Sequence, residues 1–324
     1  MSGVDQMKPQ GAAAVVVTYR SEAWIEKCLD SLLLQPEITT IWVVDNASDD
    51  NTVDLVKARY PDVHLISNPN NVGFAAANNQ ALKQVTEDFA LLLNPDASLE
   101  GEAVGHMLAA MEDEKTGAVG PRIFRGGEIE PSLSLAPRAF ESVMFLFSGM
   151  RSFNTGGFSG RPVPGFPWDA GAEGDHLRGS CMLVRKEVME SAGLLDEAFF
   201  LYFEETEWCL RMRREGWKIR IASDAVAHHV GKASVKTQTS LPSLEFMRGA
   251  VLFWGMVYGP VVSRGLRVVL WSMALTKHSL LLFSKQAAER RGWLREVMGL
   301  AITPYKMPIE YEHSRRPSLW KRYE

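Results

Sequence analysis

Three carboxylates stand close together in the stretch LYFEETEWCLRMRREGW, which runs from residue 201 to residue 217. If this stretch is a helix that turns about 100° per residue, Glu205 falls on its apolar side. The residues that form this side are Trp208, Cys209, Met212 and Gly216. A carboxylate on an apolar face is unfavourable unless it is paired, hydrogen bonded or opens into a cleft, and loss of water raises its pKa towards that of an effective general base. Glu205 is therefore a candidate catalytic base, and a capping or ion-paired acid is the alternative.

The other two glutamates of this stretch have structural explanations. Glu207 is placed with Arg211 and Arg214 on one helix face, where opposite charges attract modestly, which predicts a surface residue. Glu204 stands where a carboxylate interacts favourably with the positive end of the helix dipole, and Gly216 is a stop signal for the helix. Structure alone thus leaves Glu205 to be explained.

The composition indicates a folded protein from a reducing compartment. The chain has 324 residues, enough for one large or two ordinary domains, and a hydrophobic fraction of 46% supplies a core. Cys28, Cys181 and Cys209 are scattered without a CxxC spacing, so neither disulfides nor structural zinc is predicted. The first ten residues, MSGVDQMKPQ, lack the basic and apolar regions of a signal peptide. We therefore expect a cytoplasmic protein.

Charge is distributed unevenly along the chain. Residues 241–324 hold 13 Lys and Arg against 6 Asp and Glu, whereas residues 1–240 hold 22 against 33. The apolar segments AVLFWGMVYGPVV and VVLWSMALTKHSLLLFS of the C-terminal part are interrupted by Gly, Pro, Lys277 and His278, and are too short to span a membrane. With the basic residues that follow, they predict helices at an anionic surface on the inner face of the cell membrane. The alternative is helices that pack on the first domain or across a homo-oligomer interface. The basic residues match no nucleic-acid motif, so no nucleic-acid partner is expected.

Apolar strands and amphipathic helices alternate from residue 12 onwards. The predicted strands are AAAVVVTY, ITTIWVVDN, VHLISN and DFALLLNPDA, and the predicted helices between them are EAWIEKCLDSLL, DNTVDLVKARY and AAANNQALKQV. This alternation is typical of an α/β fold with a mostly parallel sheet that helices cover on both faces. Such sheets bind ligands at the carboxyl ends of their strands.

Polar residues follow each of these strands. They are Thr18, Tyr19 and Arg20 after the first, Asp45 and Asn46 after the second, Asn68 to Gly73 after the third, and Asn94 and Asp96 after the fourth. Helix caps and turns explain each group alone, but together they predict a ligand site at one edge of the sheet. The Gly- and Pro-rich segment 152–175 is predicted to be a loop that acts as a lid or binding element, and a disordered segment without function is the alternative.

The sequence limits the phosphate chemistry that this edge can perform. No GxGxxG follows the first strand and no Walker sequence is present, which argues against dinucleotide binding and P-loop chemistry. Asp96 can bind Mg²⁺ or Mn²⁺ through one carboxylate, with water and substrate phosphates at the other positions. His228 and His229 follow a later strand, where an imidazole can serve as a further metal ligand or contact phosphate. A structural or exposed histidine pair is the alternative.

A series of motifs in order along the chain points to one family. They are VVVTYRSEAWIEKCLDSLL, VVDNASDDNT, NPNNVGFAAANNQAL, LLLNPDA, RGSCMLVRKEVMESAGLLDEAFFLYFEETEWCLRMRREGW and HHVGKAS. Each motif alone is weak, but the set is specific. From about Ala13 to Ser234 the chain resembles the family 2 glycosyltransferases, and especially the bacterial rhamnosyltransferase-like branch that builds cell-surface polysaccharides.

The resemblance implies a GT-A fold, a nucleotide-sugar donor, a divalent metal and inversion at the anomeric carbon. The positions that it implies for donor binding are Thr18, Tyr19, Asp45, Asn78, Asn94 and Asp96. The family's DxD metal motif is NPD here, so Asp96 is its acidic ligand, and His228 matches the family's histidine after the last core strand, with His229 left open. Glu205 matches the catalytic base, in FEETE where relatives usually read FEDxD, and Glu204 stays open as the base. The implied supporting residues are Glu204, Asp196 and Arg178.

We therefore predict a metal-dependent inverting hexosyltransferase with a GT-A catalytic domain over residues 1–240 and a basic helical region over residues 241–324. The resemblance favours dTDP-L-rhamnose as donor, with a UDP-sugar next, and a saccharide or polyprenyl-diphosphate-linked acceptor. One alternative, a sugar-1-phosphate nucleotidyltransferase, would need a GxGTRL signature that is missing here. The other alternative is a non-catalytic saccharide-binding or assembly subunit, which metal-dependent donor turnover would exclude.

Overall fold

A computed structural model of the chain describes residues 11–136, 161–163, 171–231, 244–280 and 288–302. The strands are β1 (Ala12–Thr18), β2 (Ile38–Asp45), β3 (His64–Ser67), β4 (Phe89–Leu93), β5 (Ala97–Glu100), β6 (Thr116–Arg125), β7 (Glu128–Glu130), β8 (Leu133–Leu135), β9 (Arg161–Pro162), β10 (Glu173–Gly174), β11 (His176–Leu177), β12 (Cys181–Arg185) and β13 (Lys218–His229). The helices are α1 (Ile25–Leu33), α2 (Thr52–Arg59), α3 (Phe74–Leu82), α4 (Ala103–Ala109), α5 (Lys186–Ser191), α6 (Glu204–Arg214), α7 (Leu244–Leu280) and α8 (Ala288–Ile302).

Ten of the described strands form one sheet, and the other three form a small second sheet. The main sheet has the order β10-β13-β6-β12-β4-β1-β2-β3, with β5 paired to β13 and β7 paired to β6. β1 is parallel to both β2 and β4, and β2 is parallel to β3. The predicted alternation of four strands and three helices is therefore confirmed, and it brings the carboxyl ends of these strands to one edge.

The other half of the sheet is mixed rather than parallel. β12 lies antiparallel between β4 and β6, while β13 is parallel to β6 and antiparallel to β10 and β5. The mostly parallel sheet expected from the sequence thus describes only the N-terminal half. Because β12 runs against β4, the loop that precedes β12 lies at the same edge as the residues that follow β4.

Alternate residues of β1 enter two different cores, one on each face of the sheet. Leu29 of α1 and Met107 of α4 belong to the first core, and Trp208 and Met212 of α6 belong to the second. All four side chains are fully buried. Burial of one such side chain stabilises a fold by about 1.5–3 kcal/mol, so the apolar face of α6 holds this helix firmly on the sheet.

Contacts within the chain divide the described residues into two units. The first contains residues 11–136, 161–163, 171–197 and 205–231, and the second contains residues 198–204, 244–280 and 288–302. The predicted division at residue 240 into a catalytic domain and a C-terminal region stays a prediction. The predicted loop 152–175 lies mostly outside the described residues, which include only 161–163 and 171–175 of it.

The second unit is built around α7. This helix is interrupted at Gly259, whose φ of 79° is not helical, directly before Pro260. After the break, Arg267 Nε donates a hydrogen bond to the carbonyl of Ala301 in α8 (2.9 Å). Among the described helices, none combines the length and the apolar character that a membrane span requires.

The segment that leads into α6 also belongs to the second unit. Tyr202 and Phe203 both have a φ of 72°, an unfavourable conformation for bulky residues. The Phe203 ring lies 5.1 Å from the ring of Phe246 and 5.3 Å from that of Phe253, both on α7. A Cβ at Gly249 would lie 2.7 Å from the carbonyl oxygen of Tyr202, so this helix can approach the turn only because it carries a glycine there.

Candidate active site

The first cluster of predicted site residues lies where β1 and β2 end. Thr18 is the register partner of Asp45, and Asp45 is that of Ser67 in β3. The Thr18 hydroxyl donates a hydrogen bond to Asp45 Oδ1 (2.8 Å), and the hydroxyl of Ser48 donates to the same oxygen (2.6 Å). The backbone N–H of Ser48 donates to Asp45 Oδ2 (2.9 Å). Asp45 is 2% exposed, so both of its oxygens are buried in a closed hydrogen-bond network.

Tyr19 and Arg20 lie at the edge of the group formed by Thr18, Asp45 and Ser48. These five residues are called the donor-side cluster. The guanidinium of Arg20 lies over the Tyr19 ring, 5.2 Å from its centre, and pairs with Asp49 through two hydrogen bonds of 2.6 and 2.7 Å. The backbone N–H of Arg20 donates to the Ser48 hydroxyl (2.8 Å), which links the turn after β1 to the turn after β2. The predicted convergence of Thr18, Tyr19 and Asp45 at one edge is therefore confirmed.

Asn78, the predicted donor-contact residue, lies inside α3. It is 1% exposed, and its Nδ2 donates a hydrogen bond to the carbonyl of Phe74 one turn earlier (2.9 Å). Its neighbour Asn79 bonds the carbonyl of Leu195 and the carboxylate of Glu197, at 2.9 and 3.0 Å. The structure thus gives the amide of Asn78 a partner within its own helix. Asp196, the predicted supporting residue, is half-buried in the segment that Asn79 holds.

Asn94 and Ser180 meet where β4 ends and β12 begins. The backbone N–H of Asn94 donates to the carbonyl of Ser180 (2.9 Å), as the antiparallel pairing of these strands requires. Within the described part of the chain, Asn94 Oδ1 and Ser180 Oγ are buried without a hydrogen-bond partner. A buried polar atom without a partner is unusual and calls for an explanation, of which an absent ligand is one. Ser180 could not be recognised from the sequence, because only strand pairing brings it to this edge.

Glu205 lies at the start of α6, next to the loop that contains Ser180. A Cβ placed on Gly179 would lie 3.4 Å from both Cβ and Cγ of Glu205, so the glutamate packs directly on the backbone of this loop. Its Oε2 is buried and, among the described residues, has no hydrogen-bond partner, although the side chain as a whole keeps some exposure. Trp208, Cys209 and Met212 are fully buried on the same helix face, as predicted.

Burial raises the pKa of the Glu205 carboxyl above its ordinary value. The positive charge of Arg178 and the backbone N–H groups of Glu205, Thr206 and Gly179 act in the opposite direction, because they favour the carboxylate. The acid is therefore desolvated but retains groups that stabilise its charged form. This combination suits a group that must accept a proton.

The other two glutamates of the stretch are both buried. Glu207 is 2% exposed, which contradicts the predicted surface position. Its predicted ion pair with Arg211 is present, at 2.7 Å between Glu207 Oε2 and Arg211 Nη2, and Arg211 also donates to the carbonyl of Ala192. The helical pattern predicted the partner of Glu207 but not its burial. Glu204 is the first residue of α6, as expected, and is 4% exposed.

Asp96 lies beside His229, the last residue of β13. His229 Nε2 is 3.3 Å from Asp96 Oδ1, and the side chains are 12% and 6% exposed. The backbone N–H of Gly231 donates to Asp96 Oδ2 (3.1 Å), and that of Val230 donates to the Asp96 carbonyl (3.0 Å). The last residue of β13 therefore places an imidazole beside Asp96, and the two residues that follow the strand donate backbone hydrogen bonds to it.

The structure places His229, the alternative that the sequence left open, and not His228 beside Asp96. His228 points to the opposite side of β13, because successive side chains alternate along a strand. Its Nε2 contacts the carboxylate of Glu100, its ring lies 5.8 Å from that of Phe124, and its side chain is 45% exposed.

Arg178 and Glu130 connect the surroundings of Asp96 with those of Glu205. Arg178 Nη1 is 3.0 Å from Glu130 Oε1, and Arg125 Nη2 is 3.0 Å from Glu130 Oε2. Arg178 Nε also donates to the carbonyl of Pro131 (2.7 Å). Arg178 was expected in a supporting position, whereas nothing in the sequence GGEIEPS distinguished Glu130 from an ordinary strand residue.

The residues at Asp96 fit a divalent cation that substrate helps to bind. Asp96 Oδ1 and His229 Nε2 supply one oxygen and one nitrogen ligand on facing groups. The described residues contain no group of three or more His, Cys, Asp or Glu that could hold a metal by themselves. Such a two-ligand set matches Mg²⁺ or Mn²⁺, which keep waters and substrate phosphates at their other positions.

Comparisons with known proteins agree with this architecture. The model of the glycosyl transferase family 2 matches residues 13–161. The N-acetylglucosaminyl-diphospho-decaprenol L-rhamnosyltransferase of Mycobacterium tuberculosis is 29% identical over 239 residues, which cover 66% of this chain and 75% of that protein. The dTDP-rhamnosyl transferase RfbF of Shigella flexneri is 26% identical over 231 residues, which cover 69% of this chain and 70% of that protein.

The fold is also similar to that of solved glycosyltransferases. The crystal structure of GalNAc-T7 with UDP, GalNAc and Mn²⁺ superposes with a TM-score of 0.56 at 11% identity, over 89% of this chain and 54% of that chain. At this identity the likeness concerns the fold alone. The chain is therefore similar to the glycosyl transferase family 2 over residues 13–161, and its fold is like that of a GT-A glycosyltransferase.

Proposed function

We propose that this protein is an inverting glycosyltransferase that moves L-rhamnose from dTDP-rhamnose to a saccharide or lipid-linked acceptor. Within the described residues, Glu205 Oε2 is buried without a hydrogen-bond partner, as are Asn94 Oδ1 and Ser180 Oγ, and this observation carries the proposal. A sugar brings hydroxyl donors, so it can satisfy oxygens that the protein leaves without a partner.

In this proposal Glu205 is the catalytic base. An acceptor hydroxyl gives its proton to the Glu205 carboxylate while its oxygen forms a bond to the anomeric carbon of the sugar. The bond from that carbon to the nucleoside diphosphate breaks on the opposite face, and the diphosphate leaves with the electron pair. One displacement of this kind inverts the anomeric centre and needs only one base.

Glu205 is a better candidate for the base than Glu204. It lies on the α6 face that carries Trp208 and Met212, and it packs on Gly179 at the edge where the strands end. Burial raises its pKa, and the charge of Arg178 moderates this rise. Arg178 thus has a supporting role in keeping the base ionised. We propose supporting roles also for Glu204 and Asp196, which flank the turn into α6.

Asp96 and His229 would hold a divalent cation, Mg²⁺ or Mn²⁺, together with the donor diphosphate. A bound ion would offset negative charge on the departing diphosphate. The protein contributes the orientation of this pair, because Gly231 N–H fixes Asp96 Oδ2 and leaves Oδ1 facing the histidine.

The donor-side cluster is the proposed nucleoside site. Thr18, Tyr19 and Asp45 converge where the first two strands end, and Asn94 follows β4, the strand that pairs with β1 on its other side. Asn78 would act from within α3, through the position of the helix, because its Nδ2 is already bonded to Phe74. The names of two relatives specify rhamnosyl transfer, which favours dTDP-rhamnose over a UDP-sugar as the donor.

The acceptor is proposed to carry a polyprenyl diphosphate. The mycobacterial relative is named for such an acceptor. The second unit exposes apolar side chains, including Val261 at 76%, Val268 at 64% and Leu280 at 74%, and residues 241–324 carry an excess of basic residues. An apolar surface with basic residues suits attachment to an anionic membrane face.

Release of nucleoside diphosphate tests the proposal. The full chain would be incubated with dTDP-rhamnose and a panel of UDP-sugars, with Mg²⁺ or Mn²⁺ and with or without a lipid-linked saccharide. We expect release from dTDP-rhamnose that needs the metal, increases with the acceptor and is lost in Glu205→Gln and Asp96→Ala. The exposed Glu215→Gln, on the same segment, is the matched control and should keep full activity. Folded protein that turns over no donor with any acceptor would favour a non-catalytic saccharide-binding subunit.

A further inference from the structure

Glu130 is a partly buried carboxylate that contacts residues in both parts of the proposed site, namely His229 of the proposed metal pair and Arg178 near the proposed base. It is the last residue of β7, which forms a hairpin with β6 through Gly126 and Gly127. Its side chain is 14% exposed. A buried carboxylate is unfavourable unless its partners compensate the loss of water, so the choice of partners indicates its role.

The partners of Glu130 come from three different segments. Oε1 is 3.0 Å from Arg178 Nη1, in the loop before β12. Oε2 is 3.0 Å from Arg125 Nη2, on β6, and 4.0 Å from His229 Nδ1, at the end of β13. The Arg125 guanidinium in turn lies 3.3 Å from His229 Nδ1. One carboxylate therefore fixes two arginines and faces one histidine.

At Asp96, where the cation is proposed to bind, this arrangement holds the ring of His229 in place. Nε2 faces Asp96 at 3.3 Å, while Nδ1 faces Arg125 and Glu130. The orientation of a metal-binding imidazole is set by the group that its other nitrogen faces. Arg125 itself has little freedom, because a Cβ at Gly231 would lie 2.5 Å from its guanidinium carbon.

Near Glu205, the proposed base, the carboxylate of Glu130 also holds Arg178 in place. The Arg178 backbone N–H donates to the carbonyl of Ser132 (2.9 Å), and its Nε donates to the carbonyl of Pro131. The next residue, Gly179, packs against Glu205, and the charge of Arg178 favours the ionised form of that glutamate. Removal of the Glu130 charge would leave two partly buried guanidinium groups without their counterion.

We propose that Glu130 is a positioning residue that keeps His229 aligned with Asp96 and Arg178 aligned with Glu205. The inference rests on the proposed function, because it assigns Glu130 to the metal and base of that reaction. Glu130 does not touch the reacting atoms. It acts through His229, which faces Asp96, and through Arg178, whose charge favours the ionised form of Glu205.

Binding of Mn²⁺ to the full chain in the presence of dTDP tests the metal half without turnover. Glu130→Gln keeps the shape of the side chain and removes its charge. We expect Mn²⁺ affinity, measured by calorimetry, to fall about 10–100-fold, as for other groups that orient a metal ligand. Glu128→Gln is the matched control, because Glu128 lies on the same strand but is exposed. It should bind Mn²⁺ as the wild type does.

The base half is tested by comparing Glu130→Gln with Arg178→Gln. We expect both to lower kcat, but only Glu130→Gln to weaken Mn²⁺ binding as well. Glu130→Asp, which keeps the charge on a shorter side chain, should recover part of both losses. Thermal unfolding of each variant shows whether it is folded.

Two results would overturn the inference. A folded Glu130→Gln protein with wild-type Mn²⁺ affinity would show that the residue has only a structural role, even if its melting temperature fell. Wild-type protein that turns over donor but binds no Mn²⁺ would exclude the proposed metal site. The inference about Glu130 would then fail, whereas the transferase proposal would stand. If Glu130→Gln does not fold, Glu130→Asp with unchanged Mn²⁺ affinity and kcat is the contradicting outcome.

Discussion

Two groups of polar residues lie at the same edge of the sheet, and they differ in how well the protein satisfies them. In the donor-side cluster, Asp45 accepts hydrogen bonds from Thr18 and from both the hydroxyl and the N–H of Ser48. Around the proposed transfer site, Asn94 Oδ1, Ser180 Oγ and Glu205 Oε2 are buried without a partner within the described residues.

This difference separates residues that stabilise the fold from residues that we propose to contact substrate. A closed hydrogen-bond network contributes to the free energy of unfolding whether or not a ligand is present. A buried oxygen without a partner lowers that free energy, and a ligand that donates to it recovers the loss. Substitutions in the two groups should therefore have opposite signatures in stability and in activity.

The largest effect is expected for Glu205→Gln. Loss of a general base lowers kcat by about 10²–10⁴-fold. The substitution should not lower stability at neutral pH, because it replaces a desolvated acid with a neutral group of the same shape. Steady-state kinetics and urea denaturation of the same preparations check both statements. A variant that loses kcat only in proportion to its unfolded fraction would contradict the assigned role.

The pH dependence of stability gives an independent check on the same residue. The pKa of Glu205 is higher in the folded chain than in the unfolded chain, owing to burial. The unfolded state therefore loses this proton first, and the contribution of Glu205 to stability is present at low pH and lost as pH rises through the folded pKa. Relative to wild type, Glu205→Gln should gain stability as pH is raised from acid to neutral. A difference that stays constant with pH would exclude a raised pKa.

The two neighbouring histidines provide the next effect. His229→Ala should weaken Mn²⁺ binding at least about 10–100-fold, because it removes the imidazole that faces Asp96. His228→Ala removes an exposed partner of Glu100 on the other side of the strand and should leave Mn²⁺ affinity unchanged. Calorimetric titration with Mn²⁺ and dTDP compares the two. Equal losses in both variants would mean that the alternation along β13 does not decide which ring binds the metal.

The donor-side cluster should respond in stability first. Asp45→Asn replaces an acceptor oxygen with a donor that faces the donors of Thr18 and Ser48, and we expect the free energy of unfolding to fall by about 1–3 kcal/mol. The KM for the donor should rise, since the proposed nucleoside site loses its geometry. Asp49→Asn, at the exposed pair with Arg20, is the control and should change neither quantity. An Asp45→Asn protein with wild-type stability and a raised KM would place the carboxylate in direct contact with the nucleoside.

Whether a feature of the fold or the site could be predicted from the sequence depends on how far apart in the sequence its interacting residues lie. Period-two and helical patterns are local, so they located β1 to β4, the apolar face of α6 and the stop at Gly216. The pairing of β12 with β4 and of β13 with β6 is not local, so Ser180 and Glu130 could not be found. The choice between His228 and His229 depends on which side of β13 meets Asp96, and a histidine pair carries no such information. The burial of Glu207 also depends on how its helix packs in the fold, and the helical pattern carries no information on that packing.

The smallest effects are expected at the turn that leads into the base helix, where two glycines of α7 make a matched pair. Both lie within the helix, so replacement by alanine brings each the same gain of about 0.5–1 kcal/mol in helix propensity. At Gly265 the added Cβ meets nothing within 4 Å, and Gly265→Ala should show this gain in urea denaturation. At Gly249 the Cβ would lie 2.7 Å from the Tyr202 carbonyl oxygen and 3.0 Å from Phe203 Cδ2, and such overpacking costs about 1–3 kcal/mol. Gly249→Ala should therefore be the less stable variant, and it should also lower kcat, because Tyr202 and Phe203 directly precede α6. If it lowers stability but leaves kcat unchanged, the turn supports only the fold, and the position of Glu205 is set by the apolar face of α6 alone.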